Sequence, residues 1–105
     1  MIVAFNNVYL QKLYEGRSVT GKPRYANDVL TKFKKTVLML KNMESIRELK
    51  KFRGLNFEAL KGDYKGYFSV RVDYHYRLIL SIGKTDQSIV IREILVVEDL
   101  TNHYQ

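Results

Sequence analysis

Phe57-Glu58-Ala59-Leu60-Lys61-Gly62-Asp63-Tyr64-Lys65-Gly66-Tyr67-Phe68-Ser69-Val70-Arg71-Val72, answered by Tyr76-Arg77-Leu78-Ile79-Leu80, is the stretch on which the fold turns. It reads as a basic loop leading straight into a cationic β-hairpin. Over residues 67 to 73, Phe68, Val70 and Val72 alternate with Tyr67, Ser69, Arg71 and Asp73. A period of two with one apolar side is the pattern of a half-buried strand. Residues 76 to 82 supply the return strand, and Gly62 permits a tight turn that projects Lys61 beside the hairpin.

Working outward, residues 88 to 97 form a third strand. Ile89 to Val97 is almost continuously β-branched or apolar, as expected of a strand covered on much of both faces. At the other end, residues 2 to 5 read as a short strand, after which Asn6 and Asn7 offer a cap for a helix running to about Tyr14. A loop from Gly16 to Pro23 follows. From Ala26 to Met43, Val29, Leu30, Phe33, Val37, Leu38 and Leu40 recur at helical spacing, with Lys32, Lys34, Lys35 and Lys41 largely off that stripe. Ser45 followed by Glu48 is a capping-box pattern and opens a shorter helical stretch that ends near Gly54. The order predicts an α+β domain whose sheet is covered by helices on one face. A chain of 105 residues with 46% hydrophobic content fits one domain over residues 1–105, with no internal repeat.

Charge narrows the partners. Lys and Arg number 18 against 11 acids, a formal +7, so the long-range field attracts polyanions. Nucleic acid leads that class, and an acidic protein partner is the alternative. Residues 32 to 65 hold ten of the cations against four acids, so one region carries the field. The absence of cysteine removes disulfides, thiolate nucleophiles and Cys-based zinc sites, and fits a reducing cytoplasm. No stretch approaches the ~18 apolar residues of a transmembrane helix, and the first residues lack a secretory pattern. Two histidines without a His-Glu-x-x-His pattern give no metal site, and nothing calls for a cofactor.

Arg71 and Arg77 flank the Asp73-Tyr74-His75-Tyr76 turn. With a three-residue loop, Asp73 faces Arg77, and both arginines share a face with it; a two-residue loop separates them. The shared face suits phosphate, whose oxygens guanidinium forks bind in pairs. The competing reading is that one arginine pairs with Asp73. Lys61 is either a second cation for a phosphate or a solvated turn lysine. His103 is a natural acid or base for phosphodiester chemistry, or else a frayed residue near the end of the chain. Tyr64, Tyr67 and Phe68 interleave with Lys65 and the other cations, and exposed aromatics stack unpaired bases. Phe68 falls on the apolar side; Tyr67 shares the Arg71 side and is the stacking candidate. Lys50, Lys51 and Arg53 read as a general anionic docking surface or a solvated helix face, and His75 as solvated.

The Leu-Lys-Gly-Asp turn, the Gly-aromatic opening of the strand, Arg71 two residues after Ser69, and Arg77 opening the next strand resemble the RelE/ParE toxin superfamily, in its HigB-type branch. The resemblance implies a RelE-like fold, with an N-terminal strand and helices packed on a small, mainly antiparallel sheet formed with the C-terminal strands. It implies an endoribonuclease that cuts messenger RNA on the ribosome without a metal, and a cognate helix-turn-helix antitoxin of the HigA type. Carried over residue by residue, it points to Lys61, Arg71 and Arg77 as phosphate cations. Glu58 stands where some relatives carry histidine, as a general base or a plain surface carboxylate. His103 and Tyr104 stand near the site-lining end of the last strand. The ParE branch shares the fold and poisons DNA gyrase without catalysis, which leaves that activity as the alternative.

Overall fold

A computed structural model describes residues 1–87 and 90–103, and side chains outside 84–92. Strands β1 (Ile2–Phe5), β2 (Glu58–Ala59), β3 (Phe68–Arg71), β4 (Arg77–Gln87) and β5 (Val90–Thr101) form one sheet in the order β1-β5-β4-β3-β2. β1 runs parallel to β5 and the other neighbours are antiparallel. Helices α1 (Val8–Tyr14), α2 (Asn27–Asn42) and α3 (Ile46–Lys51) separate β1 from β2. The architecture is the α+β arrangement expected from the sequence, with a mainly antiparallel sheet.

The helix starts follow from their caps. The Asn7 side chain accepts from the Leu10 amide at 3.0 Å, satisfying one of the donors left unpaired in the first turn of α1. Ser45 Oγ accepts from the Glu48 amide at 3.2 Å, while the Glu48 carboxylate reaches back to the Glu44 amide at 2.8 Å. This is the expected capping box with its return arm placed one residue earlier.

Val29, Phe33, Val37 and Leu40 of α2 are buried against Val70, Leu78, Leu80, Leu95, Val97 and Leu100 of the sheet. Each such side chain contributes about 1.5–3 kcal/mol through removal from water. Thr36 lies on the same buried stripe, and its hydroxyl donates to the Lys32 carbonyl at 2.8 Å. Lys32, Lys34, Lys35 and Lys41 are exposed, and the Lys41 ammonium lies 4.5 Å from the centre of the Tyr14 ring.

Three features were not expected. β4 runs to Gln87, five residues past the predicted end. β2 is a two-residue strand, too short to announce itself by periodicity. β5 runs four residues past the predicted end and carries a bulge: Ile79 opposes Asp99 but Leu80 opposes Val97, so Glu98 is the extra residue. Val97 and Leu100, an odd number apart, both point inward because the bulge resets the alternation. Glu98 is secured by Asn6 Nδ2 at 2.8 Å and by the Ser81 hydroxyl. Ile94 and Val96 are only half-buried whereas Leu95 and Val97 are fully buried, so the described end of β5 is packed on one face rather than on both.

Candidate functional site

The strand register decides which side chains meet. Arg71 of β3 stands directly opposite Arg77 of β4, and Ser69 stands between Ile79 of β4 and Glu58 of β2. Residues directly opposite one another share a face, so Glu58, Ser69, Arg71, Arg77 and Ile79 lie on the face opposite to Val70, Leu78 and Leu80, and Arg71, at the end of β3, also borders α2. β5 adds Asp99 and Thr101 to that side, opposite Ile79 and Arg77.

The two arginines do share a face, but not for the reason expected. The loop is five residues, 72–76, in which the Val72 and Asp73 amides both donate to the Tyr76 carbonyl. Asp73 does not face Arg77. Its carboxylate accepts from the His75 and Tyr76 amides at 2.8 and 2.7 Å, holding the turn closed from within. The pairing of an arginine with Asp73 is therefore replaced by an Asx-type turn.

Arg77 and Arg71 occupy opposite environments. Arg77 is 3% exposed; its Nε donates to Ser69 Oγ at 2.8 Å, and its Nη2 donates to the carbonyls of Asn56 and Ser69. Asn56 sits in the left-handed region at φ 45°, a conformation asparagine tolerates better than most residues. Its side-chain amide donates to Glu58 at 3.2 Å. Glu58 and Arg77 are thus linked through Asn56. Arg71, by contrast, is exposed and makes no ion pair among the described residues. Leu60, whose amide donates to the Tyr67 carbonyl, continues the β2 ladder on the same side; it and Ile79 are buried apart from the main core, forming a small apolar seat under the cations.

Lys61 is exposed and extended, immediately before the 3₁₀ turn Gly62–Tyr64, and Gly62 holds φ +63° as the tight turn requires. Tyr67 is exposed, its ring edge-on to Tyr64 with centroids 6.4 Å apart. Phe68 stacks on Phe57 at 5.2 Å, consistent with its place on the apolar side. His103 is exposed, two residues beyond Thr101, and its amide donates to the Thr101 hydroxyl at 2.9 Å. Lys65 is exposed in the basic loop; Lys50, Lys51 and Arg53 are exposed on α3 and the turn after it. His75 is exposed with its ring against Tyr74. Tyr104 lies outside the described residues.

The structure therefore gathers Glu58, Arg71 and Arg77 on one face and puts His103 just past the end of β5 that meets Arg77, but places Lys61 past the opposite, Tyr67 end of β3, and leaves Lys50, Lys51 and Arg53 on α3 and the turn after it. Sequence reasoning missed Asn56, whose signal was weak: an asparagine between Leu55 and Phe57, where a left-handed turn is needed. Behind the site, the Tyr25 hydroxyl donates to the Leu100 carbonyl at 2.7 Å. Burial, aided by the nearby Asp99 carboxylate, pushes the Tyr25 phenol up to about 12. Among the described residues no group of His, Cys, Asp or Glu is gathered to hold a metal ion, and no helix is long and apolar enough to cross a membrane.

Comparison with known proteins bears on both fold and family. A family model described as the RelE-like toxin of the type II toxin-antitoxin system HigB matches residues 3–93. Among solved structures, a YoeB/ParE toxin from Agrobacterium tumefaciens is similar over 99% of this chain and 100% of its own, with 22% sequence identity and a TM-score of 0.54. At that identity the likeness is one of fold. None of the curated proteins matches in sequence.

Proposed function

The chain belongs to the HigB family of RelE-like toxins of type II toxin-antitoxin systems, and from that premise we propose that it is a metal-independent endoribonuclease that cuts messenger RNA on the ribosome. The reading is carried by one observation: Arg71 and Arg77 stand opposite each other, with Glu58 one strand away, on one face of the sheet, where Arg71 and Glu58 are exposed. A phosphodiester seated there meets positive charge from two strands and a carboxylate within the same sheet.

In the proposed reaction the ribose 2′-hydroxyl gives its proton to Glu58 or His103 as its oxygen attacks the adjacent phosphorus. The bond from phosphorus to the 5′-oxygen breaks, and that oxygen takes a proton from the group acting as acid. The products are a 2′,3′-cyclic phosphate and a 5′-hydroxyl. Arg71 binds the non-bridging oxygens, Lys61 adds positive charge from the Tyr67 end of β3, and Arg77 supplies fixed charge from beneath and holds Asn56, hence Glu58, in place. Such preorganised charge acts where the transition state gathers it. Tyr67 and Tyr104 stack bases beside the cut; Lys50, Lys51, Arg53 and Lys65 hold the backbone.

A toxin of this family has an antitoxin partner. We take it to be a HigA-type helix-turn-helix protein with an acidic surface that complements the net charge of +7. The toxin works in the cytoplasm, where messages are translated.

The test is mapping of messenger RNA 5′ ends after brief induction of the wild type, Arg71→Ala and His103→Ala. New ends that require translation and fade in the variants support the reading. Growth arrest without new ends sinks it and brings gyrase inhibition forward, to be read from the relaxation of supercoiled DNA.

A further inference from the structure

A pocket of about 270 Å³ opens beside this face, on the flank of α2. Its lining includes Lys32, Lys35, Met39, Phe52, Leu55 and Arg71, and no carboxylate is among the described residues that line it. The floor is apolar and the rim carries three cations. Phe52 is 46% exposed, so part of its ring is open to a ligand. Gly54 keeps that ring close to the turn: a Cβ there would come within 3.3 Å of the Phe52 ring.

Arg71 belongs to both this pocket and the proposed cleavage face. The sharing follows from the shortness of β2, which pairs only with Phe68 and Ser69 and leaves the β3 edge open at Arg71. The turn Arg53–Leu55 meets β3 there instead of a strand, and Leu55 and Arg71 line the pocket together.

We propose that the pocket holds the nucleotide next to the scissile phosphate, with its base on Phe52 and its phosphate between Lys32, Lys35 and Arg71. The proposal rests on the nuclease reading and deepens it. Base stacking on an exposed ring combined with backbone cations is how single strands are held without sequence-specific hydrogen bonds. An acidic peptide would answer the charge alone; the junction at Arg71 favours a polymer that occupies both places at once.

The test uses the full chain and a short fluorescein-labelled 2′-O-methyl RNA, which binds but offers no 2′-hydroxyl for cleavage. Lys32→Glu with Lys35→Glu should weaken binding about tenfold or more and flatten its salt dependence, since each lost phosphate contact removes ~0.7 from the logarithmic slope. Phe52→Ala should weaken it roughly fivefold or more, and Phe52→Trp should hold within about twofold of wild type. Circular dichroism confirms that the variants fold. Wild-type binding by folded variants overturns the proposal, as does loss of affinity for an acidic antitoxin with RNA binding intact. Mapping of 5′ ends run in parallel separates the two readings. New ends in the wild type with no change in the variants sink the pocket alone, whereas no new ends in the wild type sink the nuclease reading as well.

Discussion

Arg71 and Arg77 are the same residue type at opposing positions, yet one is exposed and the other is 3% exposed. Their substitutions should separate accordingly. Arg71→Ala removes no described hydrogen bond, so its unfolding free energy should stay within about 0.5 kcal/mol of wild type in urea titration. Its cleavage rate should fall about a hundredfold, equivalent to ~3 kcal/mol of transition-state stabilisation. Arg77→Ala strips partners from Ser69 and Asn56 and should cost ~1–3 kcal/mol of stability in the same titration. Arg77→Lys should not restore it, because an ammonium cannot reproduce the planar fork. Tyr25 offers a pH test. Its phenol is raised from 10.0 to about 12, so the folded state holds the proton more tightly than the unfolded state. That stabilisation is complete below about pH 10 and is lost as pH rises through about 12. The melting temperature should fall over that window, and Tyr25→Phe should make the fall shallower while removing the hydrogen bond to Leu100.

The elements that sequence reasoning found are those whose signal is local and repeated. α2 declared itself by a long stripe, α3 by its capping box, and β3 by strict alternation. What it missed depends on distant partners. β2 exists because Glu58 and Ala59 meet Ser69 and Phe68, and two residues carry no period. The β5 bulge is set by Ser81 and Asn6 reaching Glu98. The loop differs from both expected lengths because the Asp73 carboxylate is taken by two amide donors of its own turn and not by an arginine. Of the site, the alternation of β3 put Arg71 on the polar side, but the face of Arg77 turned on a loop length that is neither of the two expected, and the burial of Arg77 and the Asn56 link to Glu58 were not legible. Ser45→Ala should cost ~1 kcal/mol by unpairing the α3 start. Gly62→Ala should cost about 1 kcal/mol through its φ of +63° and, by shifting Lys61, should also slow cleavage. Chemical denaturation reads the first, and cleavage kinetics the second.

Charge and topology act over greater distances than either. With +7 overall and +6 of it within residues 32 to 65, the molecule presents a basic side to any partner, and raising ionic strength should slow its association with RNA. The sheet is closed by strands from the two ends of the described chain, with β5 lying between β1 and β4. In biosynthetic terms, a copy stopped before residue 90 already contains Glu58, Lys61, Arg71 and Arg77 but lacks the strand to which both β1 and β4 attach. A chain stopped there should therefore be unfolded by circular dichroism and leave growth unaffected when induced, whereas the chain that includes β5 should arrest it.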